Sequence, residues 1–254
     1  RAPLLFWNRV KSMQRYLVFV ALLFVLGMAP AAQADGTIAK LAAKLKVDPA
    51  DISPAPLPGL YRVIMGPQVT YVSADGRYLV RGDIIDIKDG KDLTREQREA
   101  ARMAYISRIA ASDMIVFKAP HARHVLTVLT DIDCQYCRAL AREMPQLAAQ
   151  GVELRYLAFP RAGVGSSSWD KAVAVWCAKD RQTAYQDAMR GSEITGGKCD
   201  ESAVAAGYDF AQRLGLQGTP AIITETGQLI DGYLPVPELV RLLDDPSLQA
   251  QMDD

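Results

Sequence analysis

Between residues 60 and 90 apolar and polar positions alternate through YRVIM (61 to 65), VTYVS (69 to 73) and YLVRGDIIDI (78 to 87). A period of two places every second side chain on one face, so these stretches predict three strands. Ala74-Asp75-Gly76-Arg77 carries an Asp-Gly hairpin signal between the last two, which makes the group a small antiparallel sheet. On either side the period lengthens. TIAKLAAKL (37 to 45) has the spacing of a short amphipathic helix, ended by Asp48-Pro49 and followed by the Pro-rich turn SPAPLPGL. After the sheet, REQREAARMAYISRIAA sets Ala100, Met103, Ile106 and Ile109 at helical spacing, with Thr94 and Gln97 as a capping box. Its charges crowd into the first half, the pattern of a partly solvated linker ending near residue 112.

Beyond that point strand and helix alternate. VLTVLTD (125 to 131) reads as a buried strand, and Cys134 to Ala149 as a helix with Leu140, Met144 and Leu147 on one face and a kink at Pro145. VELRYLAF (152 to 159) is a second strand, closed by Pro160. Helices follow over Trp169 to Ala178, Arg181 to Met189 and Ser202 to Leu214, the last with Gly215 as its C-cap signal. AIIT (221 to 224), a turn at Gly227, QLIDG (228 to 232) and a helix from Pro235 to Leu243 complete the chain. The order β, α, β, helical insertion, β, β, α is a thioredoxin-like plan. The expected fold class is therefore α+β: a small N-terminal antiparallel-sheet domain over 35–93, a linker helix over 94–112 and a thioredoxin-like α/β domain with a helical insertion over 113–254.

Residues 1–34 follow a different pattern. Arg15 precedes YLVFVALLFVLGM, a run of 13 residues, and a small-residue segment ends Ala32-Gln33-Ala34. Basic, apolar and A-x-A is the order of a secretory signal peptide, and the run is shorter than the ~20 residues a spanning helix needs. Cleavage is expected after Ala34, and with Met13 just ahead of the basic residue, residues 1–12 read as upstream sequence. The 254 residues are half apolar with a formal net charge of +0, which fits one or two domains and gives no electrostatic argument for nucleic acid or anionic membrane. A domain of about 60 residues buries only ~60% of its unfolded surface. Its strand edges would favour a second copy; a domain that merely packs on its neighbour fits the pattern equally.

Export changes the meaning of the cysteines. All four, Cys134, Cys137, Cys177 and Cys199, lie beyond residue 130. A lone C-x-x-C serves zinc and redox sites alike, but Cys177 and Cys199 lack the second C-x-x-C of a zinc ribbon. In an oxidising compartment two disulfides are expected rather than a metal site. Cys134 falls at the first turn of a helix after a central strand, where unpaired amides and the helix dipole lower a thiol pKa. Cys137 lies one turn further in; the first attacks and the second resolves. Asp133 would either cap the helix or raise the neighbouring thiol pKa. Cys177 and Cys199, with 21 residues between them, are expected to close a structural disulfide. Thr219-Pro220 precedes AIIT, where thioredoxin-like domains place a cis proline facing the reactive cysteine and leave the Thr219 backbone free to pair with an extended substrate. His121 and His124 read as surface histidines at the start of the first strand, and Arg161 as either a positive charge near the site or a solvated side chain.

The runs TDIDCQYC, RYLAFPRAG and AVWCAKD, the later Cys199 and GTPAI resemble the bacterial periplasmic disulfide isomerases of the DsbC/DsbG family, the DsbC branch most closely, over essentially the whole mature chain. The resemblance implies a V-shaped homodimer joined through cystatin-like N-terminal dimerisation domains, whose two arms face an uncharged cleft that holds misfolded disulfide-containing exported proteins. It implies a periplasmic location, reduction by a DsbD-type membrane reductase, chaperone activity and no metal or organic cofactor. On this resemblance Cys134 is the nucleophile and Cys137 its partner, Gln135, Tyr136, Thr219 and Pro220 support them, and Cys177 with Cys199 is the second, structural disulfide. The chain departs from it at Gln135, where DsbC has Gly, and at Asp133, where it has Thr. Both changes touch the thiolate environment and bear on redox potential and on the balance of isomerase against oxidase activity. The activity expected is that of a protein disulfide isomerase and reductase. A DsbA-like thiol oxidase would share the fold without needing the N-terminal sheet, and a chaperone or binding module would leave the cysteines idle.

Overall fold

The computed structural model describes residues 30–194, 199–245 and 248. The expected signal peptide therefore lies mostly outside the described residues. The chain divides into two compact units, one of residues up to 63 together with 70–81, the other of residues 64–69 and 82 onward.

In the N-terminal unit, helix α1 (Pro30–Leu45) starts before the expected cleavage point and ends where Lys46 turns to positive φ. Asp48 caps a single 3-10 turn at Pro49–Asp51 by accepting from the Ala50 amide at 2.8 Å. The sheet runs β1 (Ile52–Pro54), β2 (Leu60–Met65), β3 (Gln68–Ser73) and β4 (Leu79–Val80), in that order across the sheet. Ile38, Leu41, Ala42 and Leu45 form one face of α1 and meet Ile52, Val63 and Val72 in a small core. The third expected strand is broken in two. Gly82 adopts φ +145°, open to glycine at little cost, so only Leu79–Val80 pairs with β3, while β5 (Ile85–Asp86) pairs with β6 (Lys91–Asp92).

Helix α2 (Leu93–Ile106) follows β5 and β6, all three within the second unit. Its cap is Asp92, which accepts from the amides of Thr94 and Arg95 at 2.8 and 2.9 Å. The expected Thr94 capping box does not form, because the buried Thr94 hydroxyl accepts instead from the Ile84 amide at 2.8 Å. Nor is the helix merely a solvated linker. Ile106, with Met103, Tyr105 and Ile109, packs against Leu129, Leu157 and Phe210, and Tyr105 stacks on Phe210 with ring centroids 4.9 Å apart.

The main sheet is β7 (Ile115–Phe117), β8 (His124–Thr130), β9 (Val152–Ala158), β10 (Ala221–Ile223) and β11 (Leu229–Asp231), in the order β11-β10-β8-β9-β7. Strands β8 and β9 are parallel and joined through helix α3 (Gln135–Ala149), as a parallel crossover requires; the other pairings are antiparallel. Burial is continuous from Leu126 to Thr130, so both faces of β8 are covered. Strand β7, only three residues long, lay below the pattern read from the sequence. Helices α4 (Ser167–Trp176), α5 (Arg181–Met189), α6 (Ser202–Leu214) and α7 (Val236–Asp244) complete the unit, and a disulfide joins Cys177, the C-cap of α4, to Cys199. His124 departs from the surface histidine expected. Its Nδ1 lies 2.8 Å from Glu225 Oε1 and its Nε2 2.9 Å from Asp244 Oδ1, with the side chain 11% exposed.

Gly207 lets α6 lie directly on β9. A Cβ there would meet the Ala158 backbone, with the amide nitrogen only 2.9 Å away. Gly207→Ala should therefore cost about 1–3 kcal/mol by overpacking, although alanine in an open helix interior gains ~1 kcal/mol over glycine. Thermal unfolding reads the sign: a midpoint several degrees lower is expected, and an unchanged or higher one would show that the close approach does not matter.

Candidate active site

Strand β8 ends at Thr130, and the chain then turns around a buried carboxylate. Asp131, 3% exposed, accepts from the Asp133 amide at 2.9 Å and from both the amide and Nε of Arg161 at 3.0 Å. A buried carboxylate needs such partners to stay charged. Its own carbonyl receives the Cys134 amide at 3.1 Å. Arg161 is thus tied to the loop that carries the cysteines, and Asp131 is a site residue that sequence reasoning missed. Its signal was available, an acid at the end of an otherwise apolar strand.

This loop delivers Cys134 as the N-cap of α3, with φ −87° and ψ 123°. The sulfur itself does the capping, accepting from the Cys137 amide at 3.4 Å. Opposite, the Thr219 carbonyl lies 3.1 Å from the same sulfur, and the Thr219-Pro220 bond that follows is cis. Cys134 and Cys137 are 3% and 1% exposed and not bonded to each other. The two thiols are driven apart. Hydrogen bonding from Cys137 lowers the Cys134 pKa most, burial opposes this, and the Thr219 side chain and the Cys137 and Tyr136 amides add to the lowering, to about 5. Cys137 moves the other way, pushed well up first by burial and then by the hydrogen bond to Cys134. One sulfur is a ready nucleophile at neutral pH and the other a stored thiol. Among the described residues no group of three or more His, Cys, Asp or Glu side chains could hold a metal.

Residues 28–95 match the disulfide bond isomerase protein N-terminal domain, and residues 110–246 match a thioredoxin-like domain. The thiol:disulfide interchange protein DsbC of Escherichia coli K12 is 34% identical over 230 residues, covering 91% of this chain and 95% of that protein. DsbC of Salmonella typhimurium is 34% identical over 237 residues, covering 93% and 98%. A disulfide interchange protein from Neisseria gonorrhoeae, known from its crystal structure, superposes with a TM-score of 0.47 at 28% identity, covering 52% of this chain and 96% of that one. The chain belongs to the DsbC family. It is a thiol:disulfide oxidoreductase with disulfide isomerase activity, built as an α+β protein from an isomerase N-terminal domain and a thioredoxin-like domain.

Set against the DsbC family, the two departures have distinct surroundings. Asp133 does not cap the helix. The cap is the Cys134 sulfur, and the Asp133 carboxylate is held by Lys171 Nζ at 2.8 and 3.0 Å, with Arg138 Nη2 at 3.7 Å. Lys171, on α4 and 38 residues away, carries no local signal that would have marked it. Gln135 and Tyr136 are exposed at the first turn of α3, and the Tyr136 ring stacks with Tyr233, whose hydroxyl donates to Glu143 at 2.8 Å. Among the described residues no helix is long and apolar enough to cross a membrane.

A lowered Cys134 pKa predicts a thiolate absorbance step near 240 nm with a midpoint at about 5 in the reduced protein. Because the folded value lies below the unfolded one, the stability this thiolate contributes is complete above the ordinary thiol pKa and is lost as pH falls toward 5. A midpoint near 8.5 would instead mean an unperturbed thiol. Lys171→Met removes the nearer of the two cations around Asp133, leaving Arg138 at 3.7 Å, and should raise that midpoint by a few tenths of a pH unit, the scale of an exposed ion pair. Adding Asp133→Asn should restore it; a midpoint indifferent to both changes would remove Asp133 from the account of the thiolate.

Proposed function

We propose that Cys134 and Cys137 carry the isomerase activity with unequal roles. The Cys134 thiolate attacks one sulfur of a wrong disulfide in a client, forming a mixed disulfide and releasing the other client sulfur as a thiolate. A client thiolate then displaces Cys134 to give a new pairing, or Cys137 displaces the client and leaves it reduced. In the second case the protein ends oxidised, and a DsbD-type membrane reductase returns it to the dithiol. The observation that carries this reading is the placing of one sulfur between a helix N-terminal amide and the Thr219 carbonyl, with its partner thiol buried one turn behind it. Thr219 and Pro220 support the site as the edge along which an extended client segment pairs, and Gln135 and Tyr136 form the surface the client meets. Cys177 and Cys199 hold the scaffold and take no part in exchange.

The same reading sets the protein in the periplasm after removal of its signal peptide at Ala34, acting on misfolded disulfide-containing exported proteins. It acts as a homodimer through its N-terminal domain, where Leu79 and Val80 of β4 are 50% and 44% exposed on a short edge strand. Chaperone action on the same clients accompanies exchange. The chemistry uses the two thiols alone.

Refolding of a scrambled multi-disulfide substrate by the reduced mature protein, without added redox buffer, tests the assignment. Cys134→Ala should fall to the uncatalysed rate, while Cys137→Ala should still attack and accumulate the mixed disulfide. Full isomerisation by Cys134→Ala would sink the mechanism. The stabilised thiolate also makes Cys134 a good leaving group, the property a DsbA-like oxidase exploits. Oxidation of a reduced client by the oxidised protein, faster than isomerisation by the reduced one, would assign that direction instead.

A further inference from the structure

Tyr233 stands in the loop between β11 and α7 and reaches both halves of the site. Its neighbour Gly232 donates its amide to the Pro220 carbonyl at 3.0 Å, so the loop is fastened to the residue of the cis bond, just ahead of β10. The Tyr233 side chain goes to the other half. Its hydroxyl donates to Glu143 Oε1 at 2.8 Å, and its ring lies 6.3 Å from that of Tyr136 at an interplanar angle of 23°. Tyr136 and Glu143 both belong to α3, about two turns apart.

This clasp is fixed from below. Tyr233 is half-buried and packs against the core that also holds Leu140 and Leu239. The Glu143 carboxyl has its second oxygen buried without a hydrogen-bond partner among the described residues, so withdrawing the Tyr233 hydroxyl would leave that group worse satisfied still. Tyr136 is differently placed. It is the second residue of α3, two positions after Cys134, and is 54% exposed. An exposed side chain samples several rotamers, and ordering it on binding costs affinity. Ring pairs at this separation attract one another, so Tyr233 holds the Tyr136 ring in one place before a client arrives. A client cysteine bonded to Cys134 brings its Cα to within about 4.4–6.8 Å of the Cys134 Cα. Its neighbours, ~3.8 Å further along the client chain, come within reach of the first turn of α3, where Tyr136 is the large exposed ring.

We propose that Tyr233 is a positioning residue for client selection: it fixes the Tyr136 ring near the reacting sulfur as a shelf for an aromatic side chain next to the client cysteine that Cys134 attacks. The inference rests on the reading of Cys134 as the attacking sulfur. An aromatic side chain is the occupant that fits, because it can stack on the exposed part of the Tyr136 ring and both partners then withdraw apolar surface from water. Arg142 and Glu143, adjacent on α3 and opposite in sign, single out no charged client.

The test follows how fast the reduced mature protein is consumed by two disulfide peptides of equal length, in which the attacked cysteine is flanked by Phe or by Ser. The parental protein should react roughly three- to tenfold faster with the Phe peptide, the rate equivalent of one ring contact. Tyr233→Leu and Tyr136→Ala should each bring this ratio close to one. Combining them should change it no further, because the first acts through the second. Tyr233→Phe, which keeps the ring and gives up the anchoring hydroxyl, should lose about half of the preference. A purely structural role would slow both peptides alike, so a parental ratio in either Tyr233 variant overturns the inference. So does a parental ratio of one, or a third peptide with Arg flanks that outruns the Phe peptide. Cys134→Ala separates the two levels: if it abolishes reaction with both peptides while Tyr233→Leu keeps the parental ratio, the inference alone fails. If Cys134→Ala still forms the mixed disulfide, the reading of Cys134 fails with it.

Discussion

A sulfur that is to react as a thiolate yet sits in a protein interior must find in its walls what water would have given it. The Cys137 amide of its own helix donates to Cys134 on one side, the Thr219 carbonyl on the other accepts from the sulfur while it is a thiol, and most of the C-terminal unit is arranged so that those two walls meet. Strand β8 must stop at Thr130 for the helix to begin under Cys134. Strand β10 must lie antiparallel against it, with Ala221 opposite Leu129, for Thr219 to arrive at the same level. The parallel β8–β9 pair leaves room for α3 as the crossover. Displacing any one of these would cost the sulfur a partner, and a buried group loses more from an absent partner than it gains from a present one.

Two carboxylates flank this sulfur in sequence and are handled differently. Asp131 is buried and satisfied by three N–H donors, two of them from Arg161. Asp133 is at the surface and is answered by Lys171, itself half-exposed. At an effective dielectric constant near 20, unit charges about 4 Å apart interact by ~4 kcal/mol, whereas exposed ion pairs deliver ~0–1 kcal/mol. The inner pair therefore holds the shape of the loop, and losing Arg161 would strand a charge in the interior. The outer pair only trims the potential felt by Cys134. An acid at position 133 is therefore compatible with the fold of the site.

How much of this was legible in the chain depends on whether the signal was local. The run at 125–129 sets apolar side chains on both faces, as a covered central strand requires, the run at 152–159 alternates at Glu153 and Arg155 before turning apolar, and from them the order of the thioredoxin-like unit follows. Three-residue strands such as β1 and β7 fall below any usable period. YLVRGDIIDI reads as one strand until Gly82 is seen to leave the extended region. Thr94 has the spacing of a cap but spends its hydroxyl on Ile84, a partner that exists only after folding. The stripe through Met103 and Ile106 announces a helix with an apolar face without saying what covers it; the answer is the core around Phe210. Lys171 was invisible for the same reason, since the group it serves lies 38 residues away.

The dipeptide between the cysteines has little to do with the hydrogen bonds on sulfur. The sulfur accepts from the Cys137 amide and, as a thiol, donates to the Thr219 carbonyl, while Gln135 and Tyr136 are exposed at the surface. Gln135 thus belongs to the outer surface, and it leaves the first turn of α3 with less backbone freedom than a glycine would. Neither effect reaches the second sulfur, which is buried one helical turn deeper. The exposed dipeptide and the buried thiol thus form separate layers of the same helix turn, and the Cys134 sulfur is tied to the inner one by the Cys137 amide.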